Sequence, residues 1–539
     1  MTTIAHGRLT SAFLAISSGL LLASAFPEWR LWLLAWVGAA PLIVAVIRER
    51  GFWRSFGLGL LAGTTFYLIT SHWVTHSMHN YGHLPIWLSY LAGLIFALAL
   101  GLFNGLFAAT LSLAIKRFGI WGITAAPAIW AASEWARLKL TGMGWNSLGY
   151  SQAFNPSLIQ ISRLGGVYVV SFALVAASCC LVFALLRQFL ALALMGAFAL
   201  APLAYRIDPA PADGSMSVAA IQPNVPIPTD YYDERFFEQM KDRHLQLSYR
   251  AMDEAGGKVE LVIWPESPVN FEYDRDENLR RELAEFTRKA QVHLLFNSWG
   301  AAKEGDHNSA MLIGPSGDKI AQYDKIALMP FGEYVPARRW VPFLDRVSAL
   351  VADVAPGDRI VPMEVPGARL GAFICFEATR PEIARRMRLQ GASALVQLTN
   401  EAWFGSTAAA RQTLAHAIFR AVENNVDLIR VTNSGLSARI DNNGLVREPT
   451  PMFQTATRIW NIKSIEEARH LALTPYTRYG DAFAAACAAL SLLVIAIGLI
   501  GKSRSRRDDR RTQREIRSPI GEGQPAAEVS LTRTRNELS

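Results

Sequence analysis

The residue types best suited to covalent chemistry in this chain sit at the ends of short apolar runs. Cys375 closes one such run in Gly371-Ala372-Phe373-Ile374-Cys375-Phe376-Glu377. Glu266 follows the run 261–264 and Pro265, and Lys325 follows Tyr323-Asp324. A lone thiol with a carboxylate and an ammonium at the ends of other strands is the equipment for covalent acyl chemistry. The remaining cysteines, Cys179, Cys180 and Cys487, lie inside hydrophobic stretches. They read as small core residues, and no disulfide framework is available.

Two more polar groups lie at comparable places. Glu333 sits in Met329-Pro330-Phe331-Gly332-Glu333-Tyr334-Val335-Pro336, a loop shaped by Pro, Gly and aromatics, and is a candidate second carboxylate. Asn400-Glu401-Ala402-Trp403-Phe404-Gly405 follows the next apolar run after Cys375. Each group alone has an ordinary reading: a capping carboxylate, a solvated lysine, a buried structural thiol. Four successive strand exits with polar groups are not explained by packing. Strand exits in α/β sheets open onto crevices, where ligands bind.

The elements that must carry these residues divide sharply. Of 539 residues, 51% are hydrophobic and 18% charged, which fits a membrane protein with a sizeable soluble part. Apolar stretches of spanning length lie at about 9–26, 31–47, 55–72, 86–114, 119–135, 166–186, 188–205 and 481–501. The stretch 86–114 is long for one crossing. Ala23-Ser24-Ala25 is a weak cleavage-like match, and a retained first span is the expectation.

Arg48, Arg50, Arg54, Lys116, Arg117 and Arg187 fall in alternate short loops, and no Lys or Arg falls at 73–85. With both ends inside, that asymmetry gives eight crossings and puts 206–480 outside the cytoplasm. The tail at 502–517 holds eight basic and three acidic residues, which suits anionic headgroups and orientation rather than nucleic acid. Residues 206–480 contain short Val-, Ile- and Leu-rich runs at 218–222, 261–264, 292–297, 310–313, 370–375, 395–399, 428–432 and 458–462. Helical patterns at about 233–255, 276–290, 380–390 and 406–425 lie between several of them, so an α/β layered domain is expected. The divisions are thus 1–205 with seven spans, 206–480 catalytic, 481–501 the eighth span, and 502–539 a basic cytoplasmic tail without order.

The order Trp264-Pro265-Glu266, Tyr323-Asp324-Lys325, Cys375-Phe376-Glu377 resembles the Glu–Lys–Cys signature of the nitrilase superfamily. With Pro330–Pro336, Asn400–Gly405 and the flanking spans, the chain is similar to that superfamily's membrane-embedded branch, the apolipoprotein N-acyltransferases. One departure is Glu401, where an aspartate is often found, so the acid is kept. The resemblance implies an αββα sandwich outside the cytoplasm, held by a polytopic helical membrane domain of a bacterial inner membrane. It implies Cys375 as nucleophile, Glu266 as general base and acid, Lys325 as stabiliser of the oxyanion, and Glu333 as an auxiliary. It also implies a phospholipid acyl donor, phosphatidylethanolamine in type, a diacylated lipoprotein acceptor, and neither cofactor nor metal.

Trp403, Phe404, Phe331 and the segment 343–351 are candidates to line a lipid path, with core packing as the plainer reading. Glu377 and Asn400 are further candidates for substrate contact. His72, His76, His79 and His83 recur at helix-like spacing, which can put two imidazoles on one face for a metal, but polar residues at a span end are the expected reading. Gly144-Trp145-Asn146-Ser147-Leu148-Gly149-Tyr150 resembles a family segment near the membrane entrance. The rival functions are a membrane-bound amide hydrolase using the same residues, and a lipid-binding scaffold with a dead enzyme domain.

Overall fold

The structure, a computed structural model, describes residues 2–49, 51–205, 214–227, 234–303, 305–335 and 354–500. The segment 343–351 and the tail lie outside the described residues.

Apolar helices occupy the places of all eight expected stretches. They are Thr2–Ser24, Ala40–Glu49, Phe52–Thr70, Ile86–Phe118, Ala126–Thr141, Val167–Leu185, Phe189–Ala204 and Ala482–Ile500. By length and composition alone, four segments among the described residues can cross a membrane: Trp32–Glu49, Ile86–Thr141, Val167–Leu185 and Ala482–Leu499. Arg8–Ser24 and Phe189–Ala204 are shorter apolar helices. Ile86–Phe118 has 33 residues, roughly 50 Å at the helical rise, so it exceeds the hydrocarbon thickness. Its packing against Phe52–Thr70 needs small residues. A Cβ at Gly59 would lie 2.2 Å from the Asn104 carbonyl oxygen, and one at Gly63 2.7 Å from Asn104 Oδ1.

Among the described residues, the segment between the last two apolar helices forms twelve strands. They are β1 Met216–Gln222, β2 Leu261–Ile263, β3 His293–Ala301, β4 Asp306–Ile313, β5 Lys319–Asp324, β6 Met363–Val365, β7 Ala368–Ile374, β8 Ala394–Thr399, β9 Leu428–Thr432, β10 Ala438–Ile440, β11 Val446–Arg447 and β12 Ala456–Ile462. One sheet has the order β12-β1-β2-β3-β4-β5 and the other β11-β10-β9-β8-β7-β6. Each has three parallel central strands, β1-β2-β3 and β7-β8-β9, with antiparallel flanks.

Period-two alternation explains the layers. Val218, Ala220, Leu261, Ile263 and Leu295 share one core with Leu370, Ile374 and Leu398 of the opposite sheet. Their neighbours Ala219, Ile221, Val262, Trp264 and Leu294 share a separate core with Met240, Leu283 and Phe286 from helices Glu234–Glu254 and Glu277–Ala290. On the other side, Pro381–Leu389 and Ala409–Asn424 connect β7 to β8 and β8 to β9. The result is the expected helix–sheet–sheet–helix sandwich. Strands β5, β6, β10 and β11 escape the sequence patterns because they are short or half-exposed edges.

Candidate active site

Glu266, Lys325, Cys375 and Asn400 all lie just past the last residues of β2, β5, β7 and β8. Glu266 and Lys325 come from the first sheet, Cys375 and Asn400 from the second, and the sandwich brings these ends together.

One ammonium lies between two carboxylates. Lys325 is 1% exposed, and its Nζ lies 2.8 Å from Glu333 Oε1 and 3.7 Å from Glu266 Oε1. Asn308, on β4, spends its amide on both carboxylates: Nδ2 donates to Glu266 Oε1 at 3.0 Å and to Glu333 Oε1 at 2.8 Å. Its own Oδ1 accepts from Asn297 Nδ2 at 2.7 Å. The Asn400 N–H donates to Glu266 Oε2 at 3.1 Å, and the Met329 N–H to Glu333 Oε2 at 2.8 Å. Burial pushes the Glu266 carboxyl above the usual range, Lys325 opposes this, and Glu333 adds to it. Burial alone would lower Lys325, but Glu333 and then Glu266 outweigh it and hold the ammonium above its ordinary value.

Cys375 lies near enough to Glu266, Lys325 and Thr399 for each to act on its thiol. It is only partly buried, while its neighbour Phe376 is buried. Its φ is +49°, in the left-handed region that non-glycine residues rarely occupy, and such strain gathers at functional sites. Burial pushes the thiol well up, Glu266 adds to the rise, and Lys325 opposes it. The resting group is therefore a thiol, with a base already at hand, rather than a preformed thiolate. Phe331, in the loop that carries Glu333, has φ +61° and is exposed.

The remaining candidates fall into different surroundings. Both oxygens of Glu377 are engaged within the protein. Oε1 accepts from the Tyr323 hydroxyl at 2.8 Å and from the Ile326 and Ala327 N–H groups at 2.7 and 3.1 Å; Oε2 accepts from the Ile374 N–H at 2.8 Å. Asn400 is fully buried, its Oδ1 accepts from Asn433 Nδ2 at 3.1 Å, and its Nδ2 has no partner among the described residues. Phe404 is buried against Trp73 and Trp145, with centroids 4.9 and 6.1 Å away. Trp403 is 37% exposed and meets Tyr81 edge-on at 5.3 Å. The helix Trp73–Asn80 clasps this loop: Ser77 Oγ donates to the Trp403 carbonyl at 2.8 Å and Tyr81 OH to the Ala402 carbonyl at 2.9 Å.

Three of the four histidines of the same region find local partners. His72 Nδ1 lies 3.2 Å from the Ile69 carbonyl, His76 pairs with Asn80, and His79 Nδ1 lies 2.9 Å from the Leu84 carbonyl. Among the described residues no three His, Cys, Asp or Glu side chains gather as a metal-ligand set. Trp145 stacks on Phe376 at 6.4 Å, next to the thiol. The turn that carries Cys375 is therefore packed, through Phe376, against the helical bundle.

Asn308 is absent from the sequence-derived candidates. It stands in the polar start of β4, Asp306-His307-Asn308-Ser309, where one amide does not stand out. Asn297, Gln397 and Arg430 do carry a signal: each interrupts an apolar run of a strand, and a buried polar group must find a partner.

Comparison with known proteins bears on both halves. Residues 18–180 match the model of the apolipoprotein N-acyltransferase N-terminal domain, and residues 217–469 match that of carbon-nitrogen hydrolases. An apolipoprotein N-acyltransferase of Geobacter metallireducens is 33% identical over 511 residues, covering 91% of this chain and 95% of the relative. One of Azotobacter vinelandii is 32% identical over 540 residues, covering 95% and 97%. A carbon-nitrogen hydrolase structure from Helicobacter pylori G27 aligns at 18% identity with 48% of this chain and 91% of its own, with a TM-score of 0.36. Identity above 30% runs through nearly the whole length of both acyltransferases, helices and sandwich together, and on that ground the chain belongs to the apolipoprotein N-acyltransferase family.

Proposed function

We propose that this protein moves a fatty acyl chain from a phospholipid to the N-terminal amine of a diacylglyceryl-cysteine lipoprotein, through a thioester on Cys375. The observation that carries the reading is the meeting of Cys375, Glu266 and Lys325 at the facing strand ends of the two sheets, beside the bundle.

In the first half-reaction Glu266 takes the thiol proton as Sγ attacks the ester carbonyl carbon. The C–S bond forms, and the carbonyl electron pair moves to oxygen. Beyond its bond to Glu333, Lys325 has donors without a partner among the described residues, and one of them meets that oxyanion; one such preorganised donor contributes about 10²–10³ in rate. Collapse breaks the C–O ester bond, and Glu266 returns its proton to the leaving glycerol oxygen. A lysophospholipid leaves. In the second half-reaction the lipoprotein amine attacks the thioester, Glu266 takes the amine proton, and the sulfur departs and is reprotonated. Ester to thioester to amide needs no nucleotide.

Asn308 aligns the two carboxylates, so we assign it a positioning role. Glu377 is read as a latch between β7 and the loop after β5 rather than a substrate contact, since its oxygens already serve Tyr323 and backbone N–H groups. Trp403 and Phe331, both exposed, are the aromatics available to an acyl chain. Burying that chain contributes about 0.8 kcal/mol per CH₂, which favours a site that never draws the lipid into bulk water. Phosphatidylethanolamine as donor, eight crossings, and a sandwich on the periplasmic face of an inner membrane complete the proposal.

The test is mass spectrometry of purified protein incubated with phosphatidylethanolamine vesicles. An adduct of one acyl mass is expected on Cys375 and is lost in Cys375→Ala along with transfer. An adduct mapped to another residue, or none in an active preparation, overturns the assignment. Amide hydrolysis with no lipoprotein acylation would select a hydrolase instead.

A further inference from the structure

Behind the nucleophile runs a buried chain of polar side chains that the reaction as described does not use. The Cys375 carbonyl oxygen accepts from Gln397 Nε2 at 3.0 Å. Gln397 lies on β8, opposite Phe373 of β7 on one side and Arg430 of β9 on the other. Its Oε1 accepts from Arg430 Nη1 at 2.6 Å. Arg430 Nη2 is paired with Glu401 Oε1 and donates to Thr413 Oγ1 at 3.0 Å, and its Nε donates to the Leu436 carbonyl at 3.2 Å. The Thr413 hydroxyl also donates to Glu401. Gln397 and Arg430 are 0% exposed and Glu401 is 1% exposed.

Two physical points give this chain a direction. A guanidinium only donates, so the oxygen of the Gln397 amide must face Arg430 and its NH₂ must face Cys375. A buried ion pair also costs desolvation that packing could have avoided, so its presence calls for a reason other than stability. At Cys375 the backbone stands at φ +49°, a conformation that persists only when its surroundings hold it. The hydrogen bond from Gln397 grips the peptide that follows. Because that peptide is planar and trans, fixing its carbonyl also fixes where the Phe376 N–H points.

We propose that Glu401, Arg430 and Gln397 form a brace that holds the Cys375 turn in its strained conformation. They are positioning residues: they touch neither thiol nor substrate, and they act through the placement of the nucleophile. The inference rests on the reading of Cys375 as the nucleophile.

Gln397→Glu separates the brace from mere packing. It keeps the volume and the partner for Arg430, but a carboxylate has no donor for the Cys375 carbonyl. The full chain in phosphatidylethanolamine vesicles, with a diacylglyceryl-cysteine peptide as acceptor, is expected to lose about 100-fold in kcat, the size of a roughly 1 Å misplacement. KM and the thermal midpoint should stay near those of the parent. Arg430→Lys, which keeps the charge but cannot reach both Glu401 and Gln397, is expected to lose kcat in the same way. If Gln397→Glu does not fold, the lysine variant decides. Parent-like kcat in a folded variant, a change confined to KM, or loss of fold in both variants overturns the brace. Cys375→Ala run alongside keeps the two failures apart: an acyl adduct that survives in it condemns the nucleophile, whereas its disappearance together with a parent-like Gln397→Glu condemns the brace alone.

Discussion

The two sheets of the sandwich resemble each other in topology and differ in what lies behind them. The first carries Glu266, Lys325 and Asn308, and its outer face has a core of its own with two amphipathic helices. The second carries Cys375 and Asn400, and its core continues without a break into the helical bundle. Its outer helix, Ala409–Asn424, is buried at every residue except Arg411. Gln412 of that helix accepts from the Trp145 indole at 2.7 Å and donates to the Thr70 carbonyl at 2.8 Å. Arg420 donates to the Tyr150 hydroxyl at 3.1 Å, and Glu423 accepts from the Val167 N–H at 2.9 Å, capping an apolar helix of the bundle. The sheet that carries Glu266 and Lys325 is thus built like a soluble domain, while the sheet that carries Cys375 is seated on the apolar helices. The bundle is therefore the floor of the half in which Cys375 stands at φ +49°.

The largest expected break comes on the acid–base side. Lys325→Met removes the one cation between two carboxylates. Without it the Glu266 carboxyl rises further, so less base is present and the oxyanion loses its donor. A fall of about 10²–10³ in kcat is expected, read as the rate of thioester formation. A loss below tenfold would show that the charge balance of the first sheet is not what drives the chemistry.

A matched pair sharpens the contrast between the halves. Trp145→Phe and Trp264→Phe each remove one buried indole hydrogen bond, to Gln412 at 2.7 Å and to Ser248 at 2.9 Å. Each should destabilise by about 1 kcal/mol from that bond. Only Trp145→Phe, on the nucleophile's floor, should also slow acyl transfer. Equal slowing by both would erase the proposed distinction, and activity measured beside thermal melting decides it.

The smallest effect is one of pH. Glu333 adds to the rise of the Glu266 carboxyl, so Glu333→Gln lowers it and lets Lys325 favour the carboxylate further. A general base works deprotonated, so the rate climbs as pH rises through its folded-state pKa. The acid limb of kcat/KM in Glu333→Gln should therefore move to lower pH. A limb that stays put, or moves up, would uncouple the two carboxylates.

Much of this arrangement is legible along the chain. Eight expected strands appear near their expected places, because Val, Ile and Leu runs of buried-strand length have few alternatives. The order Glu266, Lys325, Cys375 follows from motifs at strand exits, and a left-handed Cys375 is compatible with a turn directly after a strand. Other features leave no local trace. Glu377 stands two residues from the thiol, which suggests substrate contact, yet its oxygens go to Tyr323, Ile326 and Ala327 from another sheet. Phe404 looks like its neighbour Trp403 in sequence, but one is buried in an aromatic cluster and the other is partly exposed.

By itself the sequence determined the periods, the apolar stretches and the residue types at the strand ends, since these depend on local backbone geometry and on composition. Only the tertiary structure decided which buried polar groups are partners: Asn308 between two carboxylates, Gln397 between Cys375 and Arg430, Gln412 between Trp145 and Thr70. A buried hydrogen bond is directional and takes its partner from wherever the fold delivers one, so spacing along the chain carries no record of it.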